Sequence, residues 1–414
     1  MAKLLINISQ KQAYIYAGFL VMYEFLTYIA NDMIMPGMLN VVRSFHGPES
    51  AIATSLTMYV LGGASLQLFL GPISDRHGRR PVMIFGAALF FICTVLIACS
   101  NSMGQFLAAR FFQGMGLCFI GVIGYATLQE IFIEMDAVRL IAIMANVSIL
   151  APLAGPLLGA VFIYYYSWRI IFVIIGIFAL LALWGLWRFM PESVGQIQSD
   201  GRFIQRASLS PKVVLSNYKQ LLVNRSFILG SIAMGVLYLP CMAWIALSPI
   251  ILIKEAHLTI IEYALWQIPV FGAYIIGNLW LHRMTHTGTV KKLILLGSYI
   301  AVISLLFIFI LMAYLGPYYL WLMPGLVVYF FGASICAAPL SRFILFSTYV
   351  SKGTASALMS MVSMCIQAVG IEMVNVIYVK HNNSYFSYYC AFAALLYSIF
   401  LVGSLWNHKE SQTI

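Results

Sequence analysis

Apolar residues along this chain come in long unbroken runs, not at the spacing of an amphipathic helix or strand. A helix needs about twenty such residues to cross a hydrocarbon core. Runs of that length fall at 14–36, 51–71, 81–100, 103–128, 138–164 and 169–189, and again at 226–253, 260–281, 291–313, 317–341, 354–379 and 384–406. The pattern predicts an all-α membrane protein of twelve spans. Only one long polar stretch interrupts it, between the sixth and seventh runs, carrying Asp200, Arg202, Arg206, Lys212 and Lys219. Three regions follow: a six-helix bundle over 1–190, a linker over 191–225, and a second six-helix bundle over 226–414. A glycine followed by a basic pair recurs between the second and third spans of each half, as Gly78-Arg79-Arg80 and as Gly288 before Lys291-Lys292. Duplicated bundles leave such a trace.

Composition agrees with that reading. Of 414 residues, 62% are hydrophobic and only 9% charged, against about a quarter charged in a soluble domain. Lipid must therefore be the solvent for most of the chain. The net charge of +10 does not form a basic helix interleaved with aromatics, so it does not point to nucleic acid. It follows topology. Placing the termini on the cytoplasmic side puts eighteen of the 23 Lys and Arg residues there, including Arg76, Arg79, Arg80, Arg188 and Lys352, and leaves Arg43, Arg169, Lys254 and Lys380 opposite. Basic residues favour the cytoplasmic side, so both termini and the linker are expected there, as an even number of spans requires. Arg110 alone sits inside a span.

Other chemistries find little support. The seven cysteines lie in apolar segments with no Cys-x-x-Cys pair and read as small core residues. His282 and His286 have metal-compatible spacing but flank Arg283 in a basic loop, so no metal and no cofactor is expected. The absence of His-Glu-x-x-His, of Gly-x-Ser-x-Gly and of a Gly-x4-Gly-Lys-Ser/Thr loop speaks against an enzyme and against an ATP-driven pump. Gly121-Val122-Ile123-Gly124-Tyr125 has the look of an ion filter but falls inside an apolar run. The first apolar stretch lacks an Ala-x-Ala site and reads as a retained helix, not a leader.

The acids inside the spans carry the chemistry. Glu24 and Asp32 share the first run, and each costs roughly 2.5–3.5 kcal/mol at membrane depth on insertion scales. Eight residues apart on a helix, they stand roughly 12 Å apart along the axis and about 80° around it. Both can face one cavity at different depths. A carboxyl withdrawn from water can bind and release a proton near neutral pH, as a proton-coupled carrier requires. Arg110, in the fourth run, lies at a depth comparable to Asp32, so a shared polar network is geometrically open to them. Glu372 is a third acid, in the eleventh run.

Three motifs connect these features. The segment Gly71-Pro72-Ile73-Ser74-Asp75-Arg76-His77-Gly78-Arg79-Arg80-Pro81 resembles, at all eleven positions, the signature loop of the major facilitator superfamily. Arg110-Phe111-Phe112-Gln113-Gly114-Met115-Gly116 resembles that family's Arg-x-x-Gln-Gly-x-Gly motif. Residues 151–160 resemble its antiporter motif Gly-x-x-x-Gly-Pro-x-x-Gly-Gly through Gly155, Pro156 and Gly159, with Ala151 and Ala160 in place of two glycines. Ala151, Gly155 and Gly159 keep a strip of small residues at four-residue spacing, which permits close helix contact, and Pro156 is expected to kink the helix. Tyr23 to Met38, together with 117–129, 144–159, 243–249 and 351–372, narrows the likeness to the twelve-helix drug:proton antiporters of this superfamily.

The resemblance implies two pseudo-symmetric six-helix bundles in a bacterial inner membrane, acting as a monomer. It implies that lipophilic drugs, cationic or neutral, leave in exchange for protons. Glu24, Asp32 and Arg110 are then the proton-coupling residues. Tyr28, Asn31, Asp32, Tyr125, Met144 and Ser148 form a substrate wall in the first half, faced by Leu237, Tyr238 and Trp244 from the seventh span. Asp75, Arg79, Arg80, Gln113, Gly155, Pro156 and Gly159 serve conformational change. It puts Arg110 against the backbone of the first span and Gln113, and Asp75 at the start of the eleventh span near Lys352–Thr354. A narrow exporter, or a proton symporter for one metabolite, is the rival within the same fold.

Overall fold

The computed structural model describes residues 4–199, 203–204, 211–284, 289–350, 352–378 and 382–411. Within these, it leaves undescribed the side chains of 134, 135, 138, 139, 142, 145, 146, 148, 149, 211–213 and 407–411. Almost every described residue outside short turns is helical, and no strand longer than an isolated bridge occurs among them. Among the described residues, ten helices are long and apolar enough to cross a membrane, and a bent helix pair, taken as one span, makes an eleventh. The remaining run, 138–164, falls inside a 32-residue helix. The protein is a multi-pass membrane protein.

In chain order the first half holds α1 (Gln10–Asp32), which continues through a 3-10 turn at Met35–Gly37 into α2 (Met38–Ser44). Next come α3 (Ala51–Ser65) and α4 (Gln67–His77), bent by 42° to each other. They are followed by α5 (Arg79–Ala98), α6 (Met103–Gly114), α7 (Gly116–Phe119), a π-helical turn at Ile120–Gly124, and α8 (Tyr125–Ile131). Two long helices, α9 (Glu134–Tyr165) and α10 (Trp168–Phe189), complete it. The second half holds α11 (Pro211–Val223), α12 (Arg225–Leu237), α13 (Leu239–Ser248) with a π-helical extension Pro249–Glu255, α14 (Ile260–Met284) and α15 (Val290–Leu315). A 3-10 turn at Tyr319–Trp321 leads to α16 (Leu322–Phe346), α17 (Lys352–Ile377) and α18 (Asn383–Ser411).

Helix starts carry side-chain caps where the chain leaves the apolar slab. Ser9, Ser102, Ser167, Asn224 and Thr289 each accept a hydrogen bond from a backbone N–H in the first turn, satisfying donors that have no partner within the helix.

Two expectations need correction. The segment 71–81 is not a loop: α4 runs through Pro72 to His77, and Gly78 alone turns the chain into α5. Gly78 has φ +103°, and a Cβ there would strike the Glu192 carboxylate, so only glycine suits the turn. Pro81 is the third residue of α5, within the first turn, where its missing N–H costs nothing. Within the linker, α11 occupies Pro211–Val223. The fourth span reaches Ile131, three residues past its apolar run.

The chain divides into two compact units, Met1–Gly37 with Met58–Val214 and Met38–Thr57 with Leu215–Ile414. In the first unit, α1 packs along α9 and α10, and α5 lies between α10 and α6. Glycines set the closest approaches. Gly62 abuts the Phe111 carbonyl, Gly114 the Tyr59 carbonyl and Gly159 the Met33 carbonyl, while a Cβ on Gly155 would stand 2.7 Å from that of Asp32. The small-residue strip of α9 thus lies directly on the end of α1, and α9 runs as one helix through Pro152 and Pro156. The amino-terminal residues and the linker cover the end of α8: Leu5 N–H donates to the Ile131 carbonyl (2.8 Å) and Ser199 N–H to the Leu5 carbonyl (2.6 Å).

In the second unit, α15 and α16 form the most extensive helix pair, brought together at Gly297 and Gly332. Gly277 of α14 meets Ser334 of α16, and α12 pairs with α18, where Ser226 and Ser404 exchange hydroxyl-to-carbonyl hydrogen bonds of 3.0 and 2.8 Å. The segment Met38–Thr57 belongs to this unit, held by Lys254 Nζ to Glu49 Oε2 at 2.6 Å and by Asn375 Nδ2 to the Ser50 carbonyl at 3.1 Å.

Replacing Gly159 with alanine is expected to destabilise the fold by about 1–3 kcal/mol, the usual cost of overpacking. Gly104, whose added Cβ would meet nothing within 4 Å, provides the control. Thermal unfolding of the purified protein in detergent should show a lowered midpoint for Gly159→Ala and an unchanged or raised one for Gly104→Ala.

Candidate functional site

The site is built on one face of α1. Glu24, Tyr28, Asn31 and Asp32 follow at four-, seven- and eight-residue spacing, which stacks side chains along a helix. Glu24, Asn31 and Asp32 are buried and Tyr28 half-buried. Nothing in lipid can replace water around such groups, so partners must come from neighbouring helices.

Arg110 of α6 provides most of them. Its guanidinium is wholly buried and donates to Gln113 Oε1 (2.9 Å), to Asn31 Oδ1 (2.5 Å) and to the Ala30 carbonyl (3.3 Å). It also lies 4.5 Å from the centre of the Tyr59 ring. Asn31 in turn donates through Nδ2 to Asp32 Oδ1 at 3.2 Å. The two partnerships left open by the residue pattern are therefore one network: Arg110 grips the α1 backbone and Gln113 directly, and reaches Asp32 through Asn31. Gln113 Nε2 passes the chain on to Thr94 Oγ1 of α5 (2.8 Å), which donates to the Phe90 carbonyl (2.7 Å). Tyr59 of α3 donates its hydroxyl to the Thr27 carbonyl. Four helices thus meet around one cation.

Glu24 has separate company. Tyr125 Oη donates to Glu24 Oε1 at 2.8 Å, while Oε2 is buried without a protein partner. Tyr125 stands at the exit of the π-helical turn, whose extra residue re-aims the side chains that follow; such turns recur at functional sites. Met144 is buried on α9. The Ser148 side chain lies outside the described residues.

The second-unit residues of the expected wall have partners within their own unit. Leu237 is buried, and its carbonyl accepts the Tyr329 hydroxyl. Tyr238 is half-buried at the α12–α13 break, with its hydroxyl 3.3 Å from that of Tyr274. Trp244 is wholly enclosed: its indole donates to Gln267 Oε1 at 2.9 Å and its ring packs edge-on against Phe386. Glu372 Oε2 accepts from Asn375 Nδ2 at 3.1 Å, and its other oxygen is buried and unpartnered.

A second charged cluster forms where α4, α5, α8 and the linker converge. Arg79 Nη1 stands 2.5 Å from Asp75 Oδ1 and 2.5 Å from Ser74 Oγ, and Arg79 Nη2 stands 2.9 Å from Glu130 Oε1. Ser193 Oγ donates to Glu130 Oε2 at 2.5 Å. Glu192 accepts the backbone N–H groups of Arg79 (2.9 Å) and Arg80 (3.2 Å), and so caps α5. Arg80 Nη2 donates to the Trp187 carbonyl. Within its own unit, Asp75 therefore pairs with Arg79. Sequence reasoning missed Tyr59, Thr94, Glu130 and Glu192. Glu130 had a signal, an acid directly after an apolar run, but the run appeared to end before it. Among the described residues no three His, Cys, Asp or Glu side chains converge as metal ligands, and His286 lies outside them.

Two helical units with charged and amide side chains buried at membrane depth define a membrane carrier. The chain belongs to the major facilitator superfamily, whose family model matches residues 20–371. It is 43% identical to the multidrug transporter MdfA of Yersinia pestis, over 94% of this chain and 93% of that one. It is also 43% identical to multidrug transporter MdfA of Escherichia coli O6:H1, over 91% and 90%. The fold matches the xylose transporter XylE from E. coli at a TM-score of 0.68, with 17% identity over 93% of this chain and 97% of that one. The human organic anion transporter MFSD10 gives 0.66, with 17% identity over 94% and 99%.

Arg110→Lys keeps the charge but removes the planar fork that serves Ala30, Asn31 and Gln113 together. A loss of about 2–3 kcal/mol in stability is expected, the scale of hydrogen bonds to a buried charge. Denaturation in detergent, compared with the same change at exposed Arg43, will measure it.

Proposed function

We propose that the protein is a proton-coupled multidrug efflux antiporter that carries lipophilic cationic and neutral compounds out of the cytoplasm. One observation carries the reading: two acids lie on a single face of α1, one joined through Asn31 to a buried arginine and the other held by a single tyrosine hydroxyl. A buried acid must either bind a proton or find a cation. Binding one excludes the other, which is the exchange an antiporter performs. The likeness to multidrug transporters over nearly the whole chain supports polyspecific export. The excess of basic residues on the side of the termini supports a cytoplasmic location for both ends, and the bacterial relatives support the inner membrane.

In this scheme Asp32 holds the proton, and the Arg110–Asn31 pair sets the local field that releases it. Glu24 supplies attraction for cationic substrates, with Tyr28, Tyr125 and Met144 providing apolar and aromatic surface. Ser148, Leu237, Tyr238 and Trp244 complete the substrate-contacting set proposed from the resemblance. Rocking of the bundles then exposes the site to either side in turn. Gly155 and Gly159 of α9 press on the end of α1 at Asp32 and Met33, so protonation there bears directly on a helix contact, and Pro156 between them serves the same conformational change. Asp75, Arg79, Arg80 and Gln113 stabilise one conformation over another.

Asp32→Asn is expected to abolish proton-gradient-driven export of a monovalent cationic drug. Inverted vesicles with and without an imposed pH gradient are the assay; full export by this variant would remove Asp32 from the mechanism.

Glu24→Gln is expected to reduce export of cationic drugs about tenfold and to leave neutral drugs within about twofold, because a neutral amide gives no Coulomb attraction in a site poor in water. Parallel efflux of one cationic and one neutral compound tests this, and equal losses of both would assign Glu24 to proton transfer or to packing.

A further inference from the structure

The seventh span is interrupted twice. α12 gives way to α13 at Tyr238, with Pro240 as the second residue of α13, and Pro249 opens the π-helical stretch that ends at Glu255. Leu239–Ser248, between the two interruptions, is thus a short rod of its own. Carriers commonly build substrate sites on discontinuous helices, and π-helical turns recur at functional sites. The seventh span opens the second half of the chain as the first span opens the first half. The two share a spacing, since Trp244 stands five residues before Pro249 and Asn31 five residues before Pro36. By the internal repeat, Trp244 occupies the place of the residue that joins Arg110 to Asp32.

Facing this rod and its first break is a row of polar side chains on α14. Tyr263, Gln267 and Tyr274 follow at intervals of four and seven residues, which keeps them on one face of a helix. Tyr263 Oη lies 3.3 Å from Ser248 Oγ, Gln267 Oε1 accepts the Trp244 indole N–H at 2.9 Å, and Tyr274 Oη lies 3.3 Å from Tyr238 Oη. The two outer contacts join hydroxyls, each able to donate and to accept, and neither leaves a buried group unmet. The middle contact does. Gln267 is 1% exposed, and its Nε2 is buried without a hydrogen-bond partner.

The neighbour fixes the sense of that free end. An indole N–H donates and cannot accept, so it must meet the amide oxygen; turning the amide over would set two donors against each other. Phe386, edge-on to Trp244, braces the indole from α18. The pair therefore presents a donor. A buried donor without an acceptor is costly, and a ligand oxygen relieves that cost. Carbonyl, hydroxyl and nitro oxygens suit it, whereas a quaternary organic cation with nothing to accept gains nothing there.

We propose that Gln267 determines specificity for neutral substrates, donating through Nε2 to an oxygen acceptor on the drug while Trp244 holds the amide in that sense. This rests on the drug-export reading and adds to it a residue that serves neutral compounds, as Glu24 serves cationic ones. Tilting of α13 between its two interruptions admits the ligand beside the pair. Every group involved belongs to the second unit.

Equilibrium binding of two radiolabelled probes to the purified full-length protein tests this. Chloramphenicol is neutral and carries amide, hydroxyl and nitro oxygens; tetraphenylphosphonium is a cation without an acceptor. Gln267→Met, close in shape and lacking the donor, should weaken chloramphenicol about tenfold, the scale of one hydrogen bond. It should leave tetraphenylphosphonium within about twofold. Gln267→Leu should give the same split, and thermal unfolding of each variant separates loss of the contact from loss of the fold. Equal losses of both probes in a variant that unfolds at the wild-type midpoint would reduce Gln267 to packing. Chloramphenicol binding unchanged in either variant would overturn the proposal as well. Gradient-driven efflux by the wild-type protein in vesicles judges the exporter reading separately: the expected split without any export would sink that reading and leave Gln267 standing, and wild-type protein that bound neither probe would sink both.

Discussion

The first unit depends on the burial of Arg110. A guanidinium cannot shed its proton to enter lipid, so its charge must be met by the protein. Meeting it consumes a backbone carbonyl and an asparagine of α1, a glutamine of α6 and the face of a tyrosine on α3. Those partners fix the separation and rotation of three helices, and Gln113 extends the constraint to α5 through Thr94. The glycines do the complementary work, since Gly62 and Gly114 let α3 and α6 come close enough for Tyr59 to cover the guanidinium. Charge and close packing specify one another.

Asp32 feels this arrangement at one remove. Because Asn31 stands between it and Arg110, the acid gains a favourable field without being locked into an ion pair. A carboxylate clamped bidentately by arginine would hold its charge too firmly to exchange a proton. Arg79 and Glu130 show that contrast within the same unit, with a direct pair at 2.9 Å reinforced by Ser193. One geometry suits the proton exchange proposed for Asp32, and the other suits a brace.

The spans were legible because an apolar run of the right length admits few other structures, and most described residues of each run lie in helices. The strip Ala151, Gly155, Gly159 was also legible, since four-residue spacing puts small residues on one face and α9 uses that face against α1. Asn31 as a bridge to Asp32 was not, because adjacent residues on a helix do not normally face each other and only the reach of an amide joins them. Trp244 could not be assigned from sequence either: in a helix apolar all round, an aromatic residue carries no mark of which way it points, and its indole proved to be committed to Gln267. Glu130 was hidden because the fourth span continues to Ile131, three residues past the end of its apolar run. Asp75 stood out correctly as an acid among bases, yet its partner inside the unit is Arg79, the first residue of α5, which the turn at Gly78 brings back onto it.

The π-helical turn at Ile120–Gly124 has a consequence for how this carrier can change by insertion and deletion. A π turn holds one residue more than the α turn it replaces. Removing one residue from it would restore regular winding with one residue fewer in the turn, so everything beyond would keep nearly the facing it has now. Arg110 and Gln113, on the near side, and Tyr125, on the far side, would keep their places, and the contact with Glu24 would survive. The same loss from regular α winding between Arg110 and the π turn would rotate everything beyond by about 100°. Tyr125 would then swing away from Glu24 with its side chain chemically intact, so where a single codon is lost decides whether that contact is kept.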